Sequence, residues 1–400
     1  MPQPRPRPRK ARVKLRVVTE CSGLEPVPYA LHNLGLSGKY KMMAACEVDK
    51  HCRLVARLCH RGNARPSKMF KDITRRLPRD LPDHDLYVAG FPCQPFSAMG
   101  ANLGVNDPKG RGKIIHHIIA ALEEKRPRAF LLESVKGLTS RKHKDTFESI
   151  LQQLRSIGGG VYDVRWKLAN TAHFGLPQHR ERLYIMGLLR SKLVGKFDWP
   201  TERKCMPLRL ALKWGPQDKD LARRREKAFL ANAPPKLKLR LKTVYEKMRA
   251  KGINARSYQN PVVVDIDAAQ PRWMQGVSPC LTRTRASTGF YLPAQGRRMT
   301  MSERLRLQGL PLTIRDRCKG LVSSRQVGLM IGNALSVNVL EALLSKLLPA
   351  CGLMTKREEK KINRKCHGKR PGSPRLELLR DSVRRRASSS SHITLPVLSS

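Results

Sequence analysis

Four short stretches of this sequence carry side chains that could do chemistry. In Gly90-Phe91-Pro92-Cys93-Gln94-Pro95-Phe96-Ser97 a thiol stands between two prolines, directly after the apolar run 86–89. That run reads as a buried strand ended by Gly and Pro. Prolines on both sides restrict the backbone, so the sulfur of Cys93 would be held rather than swinging. A cysteine at the carboxyl end of a strand lies where open α/β sheets place their chemistry. It can act as a nucleophile if its pKa is lowered or if a partner acid helps its target. Taken alone, a Pro-Cys reads more readily as a small buried hydrophobe. The second stretch tips that balance. Glu133 directly follows the apolar run 129–132, and a carboxylate there is costly to bury unless protonated or paired. Glu133 is thus the natural general acid beside Cys93. The third stretch, Met42-Met43-Ala44-Ala45-Cys46-Glu47-Val48-Asp49, ends a strand-like run in an acid. A carboxylate at that place accepts hydrogen bonds from ribose hydroxyls, although a surface acid at a strand end is equally common. The fourth, Gln178-His179-Arg180-Glu181-Arg182, sets two arginines between two strand-like runs.

These residues need a scaffold, and the pattern supplies a β-α alternation. Residues 15–19 read as a strand and 27–34 as a helix, joined by Glu20-Cys21-Ser22-Gly23-Leu24-Glu25-Pro26. Strand, Gly-containing turn and helix together open a nucleotide-binding unit, weakly signalled by the single Gly23. Lys71-Asp72-Ile73 offers a third acid before the strand that leads to Cys93. Residues 102–113 are rich in Gly and charge and read as a mobile loop. Helical periodicity covers 114–125 and 144–156, Gly158-Gly159-Gly160 breaks the second helix, and 161–169 and 182–187 read as strands. The alternation weakens after about residue 189. Residues 213–251 are rich in Arg and Lys with helical spacing, and 262–292 are strand-like, a shift that marks a second domain. A basic face there suits phosphate, and equally a solvated helix. Compact patterning returns over 299–347, with a helix at 302–308 and a strand-turn-helix around Met330-Ile331-Gly332-Asn333. The Lys/Arg/Ser-rich residues after Cys351 read as a disordered tail.

The bulk composition bounds the rest. The 400 residues are 40% hydrophobic, enough for a sizeable core, and 79 Lys and Arg against 31 Asp and Glu leave a formal charge of +48. A balance so basic, spread along the whole chain, points to a polyanion, of which nucleic acid is the usual one. The ten cysteines show no CxxC spacing, so neither a zinc site nor a short disulfide scaffold is expected and the thiols read as mostly reduced. No apolar run approaches a membrane span. The basic, Pro-rich start lacks the apolar segment of a secretory signal and reads as a flexible arm.

In order along 14–347, GFPCQPFS, LLESVKGL, QHRERLYIMG, SPCLTRTRASTGF, RRMTMSERLRLQGLP and VGLMIGNALSVNVL resemble the motifs of the cytosine-5 DNA methyltransferase family. The resemblance implies a Rossmann-like class I methyltransferase fold, a mostly parallel sheet with helices on both faces, plus a smaller basic target-recognition domain. It divides the chain into an arm (1–13), a catalytic and cofactor-binding domain (14–189), a target-recognition domain (190–296), a return segment completing the first domain (297–350) and the tail (351–400). It implies that Cys93 attacks carbon 6 of a cytosine taken out of the helix, that Glu133 protonates ring nitrogen 3, and that Arg182, with Arg180 behind it, anchors the base carbonyl and the nucleophile's surroundings. The implied cofactor is S-adenosylmethionine, held along Cys21, Ser22, Gly23, Leu24, Glu47, Asp72, Ile73, Pro92, Ile114 and Asn333, with Glu47 on the ribose and Asp72 on the adenine amino group. No metal is implied. The partner is double-stranded DNA, bound by a protein expected to be a monomer and not attached to a membrane. The Arg-rich ends point to a nucleus, with a prokaryotic cytoplasm left open.

The chain departs from the family pattern at Thr19, Cys21 and Glu25, where Asp, Phe and a glycine are usual, and at Ser134, where Asn braces the cysteine loop. Asp107 is also displaced from Arg111-Gly112. The aromatic missing at Cys21 would remove a stacking face for adenine, yet no reacting atom is lost. Two alternatives stay open: the tRNA-methylating branch of the superfamily, whose Cys-Phe-Thr signature is absent here, and a catalytically weak DNA-binding relative.

Overall fold

The structure, a computed structural model, describes residues 14–92, 111–214 and 219–367. Strand β1 (Leu15–Glu20), helix α1 (Val27–Asn33), β2 (Tyr40–Cys46), α2 (Lys50–Cys59), β3 (Lys68–Phe70) and β4 (Leu86–Gly90) follow the alternation read from the sequence. After them come α3 (Ile114–Lys125), β5 (Ala129–Val135), α4 (Lys144–Ser156), β6 (Tyr162–Asn170), β7 (Gln178–His179) and β8 (Glu181–Leu189). Seven strands form one sheet in the order β3-β2-β1-β4-β5-β8-β6, with parallel pairing from β3 through β5 and β8 antiparallel to both its neighbours. The expected mostly parallel sheet is present. Its strand order reverses direction between β1 and β4, so the loops leaving those two strands flank the crevice in which such sheets bind ligands.

Period-two alternation builds both faces. Val17, Met42, Leu86, Val88 and Leu131 turn to one core, while Val18, Ala44, Tyr87, Ala89, Phe130 and Leu132 turn to the other. The second core is closed by α3 and α4, whose buried Ile115, Ile118, Leu122, Phe147, Ile150 and Leu154 fall at helical spacing. Each fully buried Leu or Ile contributes roughly 1.5–3 kcal/mol.

The next segment holds α5 (Leu208–Ala211), α6 (Lys219–Ala231), α7 (Pro235–Ala250), β9 (Val262–Asp265), β10 (Arg272–Gln275), β11 (Ser278–Pro279), β12 (Tyr291–Leu292) and β13 (Arg297–Arg298). A second sheet runs β10-β9-β12-β13, and β11 pairs in parallel with β7. Val262 and Val264 face a small core with Leu241, Val244 and Met248 of α7, while Val263 between them faces the main core. One strand thereby fastens this segment to the large sheet. Arg297 and Arg298 still pair with Tyr291 and Leu292, so the chain passes into the return segment through a hairpin.

Four helices follow: α8 (Met301–Leu307), α9 (Thr313–Cys318), α10 (Ser324–Asn333) and α11 (Val337–Ala350). The strand-turn-helix expected near Met330 is a helix-turn-helix instead, broken at Ala334 in extended conformation. The apolar run is buried as part of a helix, and such a run cannot be told from a strand by periodicity. Within α10, Gly332 lies so close to the backbone of Thr282 and Arg283 that a side chain would strike it. Residues 324–350 are long and apolar enough to cross a membrane, but their most apolar window is mostly buried inside the fold; the expectation of no such run is corrected to a core helix pair. A last helix, α12 (Lys356–His367), corrects the disordered reading over those twelve residues; residues 368–400 of the expected tail lie outside the described residues. Its register is fixed by Glu358, bonded to Lys39 Nζ at 2.7 Å, and by buried Ile362.

Candidate functional site

The crevice at the carboxyl ends of β1, β2, β4 and β5 gathers most of the residues singled out from the sequence. Gly90, the last residue of β4, lies opposite Glu133 in the β4–β5 register. The Phe91 N–H donates to the Glu133 carbonyl at 3.2 Å. A side chain at position 90 would meet Leu335 of the return segment, the Cys21 carbonyl and Glu133 Oε2. The first turn, the loop toward the thiol, the acid and the return segment therefore converge at one point. Pro92, half-buried, is the last described residue before the loop; Cys93 lies outside the described residues.

Glu133 sits in mid-strand, 6% exposed. Antiparallel pairing places Val135 opposite Arg182, two residues on from the Glu133–Tyr184 pair. Glu133 and Arg182 are thus diagonal neighbours on one face. Arg182 Nε approaches Glu133 Oε1 at 3.4 Å. This is a charge contact without the geometry of a hydrogen bond, and Oε1 has no hydrogen-bond partner among the described residues. Burial pushes the Glu133 carboxyl above its ordinary value, against the pull of the Arg182 and Arg180 charges. A buried acid that resists ionisation and has an oxygen outside any hydrogen bond can donate to a ligand.

Arg180 does something different from Arg182. It is 2% exposed, and its guanidinium donates to the carbonyls of Leu281 (3.0 Å), Gly332 (3.2 Å) and Ala334 (2.8 Å). It clasps two chain segments, around Leu281 and around Gly332–Ala334, from over a hundred residues away, behind Arg182. Buried Gln178 does the same, donating to Leu307 and Gln308 and accepting from the Leu281 N–H. Ser134, on the face opposite Glu133, is buried with its hydroxyl unpartnered among the described residues.

The turn after β1 is unusual. Cys21 and Glu25, neither a glycine, adopt positive φ of 51° and 54°, a conformation that stores strain. The Gly23 N–H donates to Glu47 Oε2 at 2.8 Å, and the Asp49 N–H donates to Oε1 at 2.9 Å. Burial nevertheless leaves the Glu47 carboxyl above its ordinary value. Burial and the neighbouring Glu47 and Glu20 push the Cys21 thiol well up. Thr19 donates its hydroxyl to Glu25 Oε2 at 2.9 Å, and burial pushes the Glu25 carboxyl up to about 8. Ser22 Oγ and Glu25 Oε1 have no partner among the described residues, and open space lies above Gly23. A strained turn with unpartnered polar atoms beside an acid at the next strand end fits a ligand with hydroxyl and amino groups, as the resemblance implies. Leu24 and Ile73 are buried, Ile114 is half-buried at the start of α3, and Asn333 is exposed at the end of α10. Asp72 accepts from Thr74 N at 2.9 Å and Thr74 Oγ1 at 2.8 Å, and these bonds hold its carboxyl below the usual range.

Sequence reading missed the pillar under this turn. Glu20, fully buried, receives Arg76 Nε and Nη2 at 2.6 Å each and the Tyr87 hydroxyl. The bidentate pair ties the segment carrying Asp72 to the end of β1. A buried strand ending in an acid is a signal for such a partner, but nothing local names Arg76.

Comparisons with known proteins bear on the family and the fold. Residues 16–348 match the model of the C-5 cytosine-specific DNA methylases. The type II methyltransferase M.NgoBI of Neisseria gonorrhoeae is 34% identical over 316 residues, covering 76% of this chain and 86% of that protein. M.HaeII of Haemophilus aegyptius is 31% identical over 72% of this chain and 82% of its own length. Among solved structures, a prophage-encoded DNA modification methyltransferase of E. coli superposes with a TM-score of 0.57 at 18% identity, covering 85% of this chain and all of that one. The S. pombe Dnmt2 methyltransferase does so at 0.55 and 17%, covering 84% and 98%. At these identities the two structures speak to the fold alone.

Proposed function

The chain belongs to the C-5 cytosine-specific DNA methylase family, and from that premise we propose how its own residues carry the reaction. The protein is a DNA (cytosine-5) methyltransferase, and S-adenosylmethionine is its methyl donor. When bound, the donor supplies the methyl group as an electrophile. Cys21 to Leu24, Glu47, Asp72, Ile73, Pro92, Ile114 and Asn333 would hold it, Glu47 on its hydroxyls and Asp72 on its adenine.

The Cys93 thiolate adds to carbon 6 of a cytosine extruded from double-stranded DNA. Glu133 gives its proton to ring nitrogen 3, which leaves carbon 5 electron-rich enough to accept the methyl group. Arg182 holds the base carbonyl with a permanent charge in a fixed fork. Loss of the proton from carbon 5 then expels the sulfur. The observation that carries this assignment is the Glu133 carboxyl, buried, with an unengaged Oε1, beside the point where the loop toward Cys93 leaves β4. Arg180 supports Arg182 from behind and does not reach substrate.

Residues 190–296 act as the target-recognition domain and 297–350 as the segment completing the catalytic domain, with Arg223, Arg224, Arg225 and Lys227 exposed on α6 for phosphate. The protein acts as a monomer. Its relatives come from bacteria and bacteriophages, which favours a cytoplasmic bacterial or phage setting and gives the nuclear expectation no support.

The test is transfer of labelled methyl from S-adenosylmethionine to duplex DNA and to tRNA, with Cys93→Ser beside the parent. Label in DNA that disappears in the variant supports the reading. Label in tRNA alone moves the protein to the tRNA-methylating branch, and label in DNA that survives in the variant removes Cys93 from the mechanism.

A further inference from the structure

Arg182 has a second acidic neighbour. Cys280 follows β11, whose Ser278 N–H donates to the Pro177 carbonyl at 2.7 Å, and the next residue, Leu281, donates its N–H to Gln178 Oε1 at 3.0 Å. The backbone on both sides of Cys280 is thereby pinned to the strand that carries the arginines. The sulfur lies 3.5 Å from Arg180 Nη1 and 3.5 Å from Arg182 Nη2. Its own S–H, when present, donates to the Leu281 carbonyl at 3.5 Å. The sulfur is half-buried, and burial raises a thiol; here the two guanidiniums outweigh burial and hold Cys280 below the ordinary thiol value.

We propose that Cys280 is a positioning residue of the methyl-transfer reaction: as a thiolate it neutralises Arg182 from the target-recognition side and so keeps that arginine from closing a full ion pair with Glu133. A guanidinium shared between two acids cannot ionise both as strongly as one acid alone. If the sulfur takes the charge, Glu133 retains its proton into the pH range where the enzyme works. Among the described residues the titratable groups that face Glu133 are Arg182, Arg180 and Tyr184; Gly90, opposite it on β4, carries no charge. Cys280 reaches Glu133 only through the arginines. The inference rests on Glu133 as the acid of the proposed function.

The test has two arms in the full-length protein. In the Cys93→Ser background, the rate at which iodoacetamide alkylates Cys280 is followed by peptide mass spectrometry across pH. The expected midpoint lies below the ordinary thiol value of about 8.5 and rises to or above it when Arg182→Met is added. A midpoint at or above the ordinary value with Arg182 present overturns the proposal. In the Cys93 enzyme, the pH profile of kcat is compared for Cys280→Ala and Cys280→Asp. Freed of its thiolate, Arg182 lowers the Glu133 pKa, so the alkaline limb of the Ala variant moves to lower pH by roughly one unit, about tenfold in rate above it. The Asp variant restores an anion and returns the limb. A rate that falls evenly at all pH values, with the limb unmoved, means a merely structural cysteine and overturns the proposal. Were the parent enzyme to transfer no methyl group at all, the reading of Glu133 would fall, and the alkylation arm would still decide whether the thiolate pairs with Arg182.

Discussion

Two buried glutamates in one sheet, on strands β1 and β5 to either side of β4, face an arginine each, and they end differently. Glu20 is closed by Arg76 in two bonds of 2.6 Å and by the Tyr87 hydroxyl, with both side chains of the ion pair essentially unexposed. Glu133 meets Arg182 at 3.4 Å through one nitrogen, and the oxygen so approached makes no hydrogen bond among the described residues. The first carboxyl is fully engaged and can only hold the fold. The second is left short of a full partner, and that shortfall is what chemistry needs: an acid able to give up a proton when a base arrives. Burial alone does not separate a structural acid from a reacting one. The completeness of the pairing does.

Changing each acid's side of the pair should separate stability from activity. The largest effect expected is on rate: Glu133→Gln should lower methyl transfer by about 10²–10⁴-fold, the range of a lost general acid, while its melting temperature stays near that of the parent. A Glu133→Gln protein that melts well below the parent would mean that this carboxyl, too, holds the fold. Next, Arg76→Ala leaves Glu20 buried without its cation, which costs about 3–5 kcal/mol. Denaturant unfolding should read that loss, with kcat at saturating donor changing far less. An unfolding midpoint left in place would show the pair to be dispensable.

Glu25 lies between the two, one oxygen on Thr19 and the other unpartnered among the described residues, and its effect depends on pH. Its carboxyl is pushed up to about 8, above the roughly 4.3 of an unfolded chain. Below the unfolded value both states are protonated and the contribution is fully present. As pH rises the unfolded chain releases its proton first, so stability is lost from about pH 4 up to about 8 and is level above that. Glu25→Gln should remove this slope, so that its melting temperature gains on the parent's between pH 5 and 8. Parallel curves for the two proteins would refute the raised value.

Much of this was legible in the sequence because it is local. The bounds of α3 and α4 follow from apolar spacing that repeats within one helix. Glu133 stood out because an acid ends a run that is otherwise apolar. What stayed hidden depends on distant partners. Arg76 is 56 residues from Glu20, and Arg180 is 154 from Ala334. Cys280 lies 98 residues from Arg182 and reads alone as one more thiol. The α10 region misled because its buried apolar run, Val327 to Gly332, is too short for periodicity to tell a helix from a strand. In α12 the charges masked an apolar contact as slight as Ile362.

The central claim, that Glu133 is a buried acid held short of ionisation, is tested most directly by its own titration. Carbon-13 carboxyl resonances of glutamate-labelled Cys93→Ser protein would be followed across pH, with Glu133→Gln assigning the signal. The account predicts a Glu133 midpoint clearly above the ordinary carboxyl value of about 4.3, moving down when Cys280→Ala frees Arg182. A midpoint at or below the ordinary value would mean that Arg182 closes on Glu133 as Arg76 closes on Glu20, and the distinction drawn between the two acids would fall.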